Sequence, residues 1–178
     1  HVYQLFELNF PYFILFANDI IRNKGSLART VGKHGLKPMI VHCENLEDSI
    51  RQTINQIKNI KREHHNASIA IVYPSKSTLN TIYKHLKDNN IDSYIALKDK
   101  WNFQMSQVAI TTYYQIKGLE FDYIIILGLN YYENSKLTNK ENVLYTVITR
   151  AKERVYINYE NVLPRLLEKV DRELYELS

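Results

Sequence analysis

The stretch VAITTYYQIKGLEFDYIIIL, residues 108–127, carries the strongest fold signal in this chain of 178 residues. It begins with a β-branched run that ends near Thr112, continues through a polar loop, and enters a second run, residues 122–129, that is apolar on both faces. A strand with two apolar faces is typical of the centre of a parallel sheet covered on both sides. The stretch therefore predicts two strands joined by a short loop, with the second strand central.

Working outward from this stretch, short β-branched runs alternate with longer amphipathic segments. The predicted strands are residues 38–42, 68–73, 93–97, 107–112, 122–129 and 154–159. The predicted helices are residues 12–23, 46–61, 77–88, 139–152 and 162–177. This alternation predicts an α/β domain with a mostly parallel sheet. Because ligands of such sheets bind at the carboxyl ends of strands, the segments after Tyr73, Thr112 and Leu129 are candidate site positions.

Composition narrows the class of protein without identifying it. The chain is 45% hydrophobic and 24% charged, which is typical of one globular domain, here residues 1–178. The formal net charge of +4 permits nucleic-acid binding without requiring it. The single cysteine, Cys43, excludes an intramolecular disulfide and argues against a cysteine-based zinc site. With no apolar run long enough to cross a bilayer, we expect a cytoplasmic protein without a membrane partner.

Two segments contain candidate functional residues. The loop KGLEFD, residues 117–122, holds Gly118, which ordinarily supplies a turn, and Glu120, which is ordinarily a solvated carboxylate. In NVLYTVITRAKERVYI, residues 142–157, helical spacing places Arg150 at the edge of a buried stripe. That stripe consists of Val143, Leu144, Val147, Ile148 and Ala151. Arg150 could point a rigid guanidinium into a cleft between domains or simply extend into water, and its position leaves both readings open.

Together and in this order, the two segments resemble motifs V and VI of superfamily 1 helicases of the UvrD/Rep/PcrA type. Motif V has the form T-x-H-x-x-K-G-L-E-F, and TYYQIKGLEF lies within residues 111–122 of this chain. Motif VI has the form L-x-Y-V-A-x-T-R-A, and residues 143–151 read VLYTVITRA. Residues 69–73, IAIVY, resemble the strand of motif IV, and residues 8–10 and 16–21 resemble the segment L-x-N-Y-R-S-T-P-x-I-x-x-F-A-N.

The resemblance implies a fold and a nucleotide site. It implies the second of two RecA-like domains that enclose ATP, with a P-loop NTPase-type three-layer α/β sandwich. Arg150 would then be the arginine finger at the γ-phosphate, where fixed positive charge meets the charge of the transferring group. Glu120 would accept hydrogen bonds from the ribose, Lys117 and Gly118 would belong to the same nucleotide-binding set, and Phe10 would stack near the adenine.

The resemblance also implies a nucleic-acid site and a division of labour. Thr112 and Tyr114 would lie along single-stranded DNA; the family has histidine at the second position, and an aromatic residue there can still stack on a base. The chain has no G-x-x-x-x-G-K-[ST] loop and no Asp-Glu pair for magnesium, which belong to the first RecA-like domain. ATP and Mg²⁺ are therefore expected in the full-length protein, with the Mg²⁺ ligands outside this chain, and the chain alone is expected to be inactive.

The missing phosphate loop and the irregular segment at Phe10 and Pro11 leave an alternative open. The family's Arg-Ser-Thr is missing between Phe10 and Pro11, and the large insertion between motifs IV and V is absent, as in compact variants of the HelD or RecD kind. The expected partners are the first RecA-like domain of the same polypeptide, single-stranded DNA, and RNA polymerase or repair proteins. The alternative is a degenerate, non-catalytic helicase-like module that binds a protein such as RNA polymerase, or nucleic acid, without hydrolysing ATP.

Overall fold

The computed structural model describes residues 12–21, 36–97 and 107–178, and these ranges contain one seven-stranded sheet. Its strands are β1 Met39–Cys43, β2 Ile69–Tyr73, β3 Ser93–Ile95, β4 Val108–Thr112, β5 Phe121–Ile126, β6 Ala151–Glu160 and β7 Glu176–Leu177. The helices are α1 Tyr12–Ile20, α2 Leu46–Glu63, α3 Leu79–Asp88, α4 Leu129–Asn134, α5 Lys140–Ile148 and α6 Arg165–Glu168. Short 3-10 turns occur at Lys76–Thr78 and Arg172–Leu174.

The sheet has the order β3-β4-β2-β5-β6-β1-β7, and every pairing in it is parallel. Strand β5 is therefore the middle strand, as its two apolar faces predict, and its residues Tyr123 to Ile126 are all buried. All parallel strands begin at one edge of the sheet, the amino edge, and end at the opposite edge, the carboxyl edge. These two edges define the positions of the candidate site residues.

Helices cover both faces of the sheet. Isoleucines of α2, such as Ile54 and Ile57, pack with Ile71 and Ile125 on one face, together with α3. On the other face, side chains of α1, α5 and the β4–β5 connection pack with alternate residues of the same strands, such as Val72. Because successive strand residues point to opposite faces, each central strand serves two cores. The predicted three-layer α/β sandwich with a parallel sheet is confirmed.

Local sequence explains the long helix α2. The side chain of Asn45 caps its first turn by accepting a hydrogen bond from the backbone N–H of Asp48 at 3.0 Å. Acidic residues lie in the first turn and Lys61 and Arg62 in the last, which suits the helix dipole. The Nζ atom of Lys61 also donates to the carbonyl of Ala67 at 2.7 Å, so this basic cluster stabilises the end of the helix.

The prediction of a carboxyl-terminal helix over residues 162–177 is wrong. The segment forms the four-residue α6, a 3-10 turn and the strand β7, which pairs beside β1. Two backbone hydrogen bonds favour the strand: Glu176 N–H donates to Pro38 O at 2.8 Å, and Ser178 N–H to Ile40 O at 3.0 Å. A helix could not form these bonds to the sheet.

Two further boundaries differ from the sequence prediction. The helix predicted over residues 139–152 ends at Ile148, and β6 already begins at Ala151, because residues before 154 continue the pairing with β5. The central strand β5 ends at Ile126 rather than at residue 129, where the short helix α4 begins. Within the described part of the chain, every helix is too short or too polar to cross a membrane.

Candidate functional site

The connection between β4 and β5, residues 113–120, crosses from the carboxyl edge of the sheet to the amino edge. Both strands pair in parallel with β2, so a chain that leaves the end of β4 must return along β2 before β5 begins. Tyr113 and Ile116 of this connection are fully buried on the face covered by α1 and α5. The motif V-like segment therefore has one end at each edge of the sheet.

At the amino edge, this segment meets the motif VI-like segment. Phe121 is the first residue of β5 and pairs with Ala151, the first residue of β6; its N–H donates to the carbonyl of Arg150 at 2.9 Å. Neighbouring strands lie about 4.8 Å apart, so Glu120 and Arg150 are backbone neighbours. Both residues precede their strands, so they lie at the edge opposite to the carboxyl ends that sheet geometry alone favours.

Arg150 lies directly after α5, whose Leu144, Val147 and Ile148 are buried in the core. Its backbone N–H donates to Val147 O at 3.1 Å and its Nε to Thr146 O at 3.3 Å, so the start of the side chain is fixed to the helix end. Within the described ranges, no carboxylate lies within salt-bridge distance of this guanidinium. Among the described residues, nothing therefore prevents the Nη groups of this partly buried arginine from binding an external anion.

Lys117, Gly118 and Glu120 lie exposed on the part of the connection that leads to the amino edge. Gly118 has a φ of +85°, in the left-handed region that favours glycine, and closes a turn in which Leu119 N–H donates to Ile116 O at 3.1 Å. The turn presents an ammonium and a carboxylate on either side of an unobstructed backbone. Such a surface can bind a ligand that carries both phosphates and hydroxyls.

At the carboxyl edge, the two predicted DNA-binding residues differ in exposure. Thr112 is the last residue of β4, pairs with Tyr73 and is only 3% exposed. Tyr114, two residues further on, is 44% exposed. Of these two residues, Tyr114 is therefore the one that offers a substantial side-chain surface.

Buried tyrosines from two connections contact each other next to Tyr114. The rings of Tyr113 and Tyr132 contact edge to face with centroids 5.0 Å apart, and the Tyr113 hydroxyl donates to Leu127 O at 2.6 Å. The Tyr132 hydroxyl is buried and has no partner of good hydrogen-bond geometry in the described part of the chain. Burial raises the pKa of Tyr132 far above its usual range, and the neighbouring Tyr114 phenol acts in the same direction.

Sequence reasoning missed a buried carboxyl group at this edge. Glu160 ends β6 and accepts a hydrogen bond from Ser49 Oγ at 2.7 Å, while its backbone N–H donates to Asn130 Oδ1 at 2.9 Å. Burial raises the pKa of Glu160, and the Ser49 hydrogen bond only partly opposes this effect. No local signal marks the residue, since its partners come from α2 and α4, which are distant in sequence.

Phe10 and a metal site are the candidates that remain. Phe10 lies outside the described residues. In residues 12–21, 36–97 and 107–178, no group of three or more His, Cys, Asp or Glu side chains is arranged to hold a metal ion.

Comparison with known families agrees with the motif segments. Residues 107–158 match the UvrD-like helicase C-terminal domain, a range that contains the β4–β5 connection, α5 and most of β6. A search of curated protein sequences finds no significant match.

Comparison with solved structures extends the likeness to most of the chain. The C-terminal domain of a possible DNA helicase from Lactobacillus plantarum superposes with a TM-score of 0.77 at 24% identity, covering 95% of this chain and 96% of that one. S. cerevisiae Dbp5 bound to RNA and ADP BeF3 superposes with a TM-score of 0.60 at 16% identity, covering 92% of this chain and 47% of that one. The Sulfolobus solfataricus SWI2/SNF2 ATPase core in complex with dsDNA gives 0.56 at 15% identity, over 89% of this chain and 34% of that one.

The chain thus spans the whole of one similar domain and about half or a third of the two larger proteins. Their shared architecture is the RecA-like helicase fold, which confirms the predicted fold class. Residues 107–158 are in addition similar to the UvrD-like helicase C-terminal domain, so the local sequence match and the fold agree.

Proposed function

We propose that this chain is the second motor domain of an ATP-dependent DNA helicase or translocase, supplying the arginine finger and part of the single-stranded DNA track. The observation that carries the proposal is the pairing of Phe121 with Ala151. This pairing brings Glu120 and Arg150, from the segments that resemble motifs V and VI, to one edge of the sheet. Two residues so distant in sequence, meeting at an open edge, support a shared ligand.

In this proposal, the amino edge faces ATP held by the first RecA-like domain of the same polypeptide. Arg150 donates from its free Nη groups to the γ-phosphate, where charge develops during hydrolysis. Glu120 accepts hydrogen bonds from the ribose hydroxyls, and Lys117 and the open backbone at Gly118 approach the nucleotide beside it. Phe10, which lies outside the described residues, is assigned to the adenine by the family resemblance alone. Mg²⁺ neutralises phosphate charge and is held by residues outside this chain, so the chain alone does not hydrolyse ATP.

The carboxyl edge faces single-stranded DNA. Tyr114 stacks on a base, an interaction that tolerates any sequence because every base has a flat face. Thr112 is buried and contributes less side-chain surface than the motif suggests. Two similar structures are complexes with nucleic acid, RNA in one and dsDNA in the other, which supports a nucleic-acid partner for this chain.

The test uses the protein that contains this chain together with its first RecA-like domain. Replacing Arg150→Ala should lower DNA-stimulated ATP hydrolysis by roughly 10³-fold or more, because the transition-state charge loses its partner. The affinity for a non-hydrolysable ATP analogue should change little. The control is Arg51→Ala, which removes an exposed arginine of α2 that pairs with Asp48 and should leave turnover unchanged.

Unchanged turnover in Arg150→Ala would sink the assignment of Arg150. A wild-type protein that binds nucleic acid or RNA polymerase but does not hydrolyse ATP would instead support the non-catalytic module. The position of Arg150 beside Glu120 at the amino edge, with no carboxylate partner among the described residues, favours the catalytic proposal.

A further inference from the structure

Two tyrosines are exposed at the carboxyl edge of the sheet. They lie on the connections that follow β4 and β5, the two strands on either side of β2. Tyr114 follows β4 and is 44% exposed, and Tyr131 lies in α4 after β5 and is 58% exposed. Exposed aromatic rings at such levels cost hydrophobic free energy that burial would recover. A pair of them on one edge therefore calls for a partner that uses flat aromatic faces.

Each exposed tyrosine is attached to a buried one. Tyr114 follows Tyr113, and Tyr131 precedes Tyr132; the two buried rings contact each other at 5.0 Å with an interplanar angle of 68°. Each exposed ring is therefore one residue from a packed core ring. A backbone held in this way loses little conformational entropy when a ligand binds.

Tyr131 is further held by Tyr73, the last residue of β2. Their rings stack with centroids 6.1 Å apart and an interplanar angle of 27°, and Tyr73 itself is buried. One face of the Tyr131 ring is therefore occupied by the protein, and the ring remains more than half exposed. A base could continue this stack on the free side.

The residues around Tyr131 suit a phosphodiester chain better than an apolar partner. Tyr131 shares a shallow depression with Asn130, Asn134, Ser135 and Lys136. Both asparagine side chains are committed to backbone carbonyls, those of Val162 and Asn130. Lys136 is exposed, so the depression offers one cation beside an aromatic ring. A cation that follows the backbone and a ring that accepts a base are the two features of single-strand binding sites.

We propose that Tyr131 is a second base-stacking residue, which forms with Tyr114 a tyrosine ledge, defined as these two residues, for single-stranded DNA. The proposal rests on the proposed DNA-binding function and adds a residue that the motif segments do not contain. Tyr114 and Tyr131 contact two bases of the same strand, while Lys136 contacts the adjoining phosphate.

The test measures binding of oligothymidylate to the protein that contains this chain and its first RecA-like domain, without nucleotide. Tyr131→Ala should weaken binding by about 5- to 100-fold, the loss expected for one stacked base. Tyr131→Phe should bind as the wild type does, and Tyr131→Leu should resemble the alanine variant. The salt dependence should be unchanged in Tyr131→Ala and shallower in Lys136→Ala, because only the second variant removes a phosphate contact.

A direct readout is photo-crosslinking with oligonucleotides that carry 5-iodouracil, followed by peptide mapping. Crosslinks should map to Tyr131 and should disappear in Tyr131→Leu. The control is Tyr12→Ala, which removes a tyrosine of α1 that is 36% exposed and contacts Lys37 rather than the ledge; this variant should bind normally.

Three results would overturn the proposal in distinguishable ways. Wild-type-like binding by Tyr131→Ala, with loss of binding in Tyr114→Ala, removes Tyr131 from the ledge and leaves the proposed function standing. A wild-type protein that fails to bind oligothymidylate contradicts both. Binding of oligouridylate but not of oligothymidylate overturns the choice of DNA.

Discussion

Gly128 is a residue at which both the backbone and the surroundings require glycine. Its φ is +70°, and a Cβ atom there would lie 2.5 Å from Cε2 and 2.8 Å from Cζ of Tyr73, and 2.9 Å from Cδ of Pro74. Tyr73 cannot move aside cheaply, because it is buried and Tyr131 stacks against it. We expect Gly128→Ala to lower the free energy of unfolding by about 2–4 kcal/mol, from strain plus overpacking.

The matched control is Gly118→Ala, measured by the same urea unfolding followed by circular dichroism. Gly118 also has a positive φ, +85°, but a Cβ atom there would have nothing within 4 Å. Its replacement should cost only the backbone strain, about 1–2 kcal/mol. Equal losses in the two variants would contradict the steric part of the argument and leave only the backbone part.

The sequence was sufficient to select candidate site residues, but it did not predict how exposed each of them is. Lys117, Gly118, Glu120 and Arg150 could be selected from two short segments, because their chemistry is visible in their types and spacing. The burial of Thr112 could not be predicted in this way, because it results from pairing with β2 and from packing of side chains that are distant in sequence. Exposure is a tertiary property, and single positions do not encode it.

Among the elements, the carboxyl-terminal segment shows how tertiary pairing overrides a local pattern. Residues 162–177 carry leucines and charges at spacings compatible with a helix. Only four of these residues form the helix α6, and the segment ends in the strand β7. Tyr175, only 7% exposed, anchors this path by contacting Phe16 of α1 edge to face at 5.8 Å. The central strand β5 could be predicted because its signal is local and strong, whereas an edge strand of two residues has no signal of its own.

This anchoring gives a prediction for the segment as a unit. Tyr175→Ala should lower the free energy of unfolding by about 3–4 kcal/mol, since it removes a buried aromatic ring. It should also speed hydrogen exchange at the amides of Glu176 and Ser178, which bond to β1 and the residue before it. Leu177→Ala, at a position 53% exposed, should stay within about 0.5 kcal/mol of the wild type. Similar unfolding free energies for both variants would show that Tyr175 does not hold the segment.

For the whole molecule, the β4–β5 connection links the two edges of the sheet. At the carboxyl edge, Tyr113 is tied to Leu127 O by its hydroxyl; at the amino edge, Phe121 is tied to Arg150 O by its N–H. Between them, Ile116 is fully buried. A packed segment of this kind cannot shift at one end without disturbing the other. In the proposed function, the two ends contact the nucleotide and the DNA, so the two ligands should influence each other.

That expectation can be measured as a coupling free energy, which must be the same in both directions. A non-hydrolysable ATP analogue should change the affinity for oligothymidylate by about 5- to 150-fold, and oligothymidylate should change the affinity for the analogue by the same factor. Arg150→Ala should bring this factor close to one while leaving DNA affinity without nucleotide intact, because Arg150 lies at the other edge. Full coupling in that variant would mean that the guanidinium of Arg150 is not the group through which the nucleotide influences the DNA-binding edge.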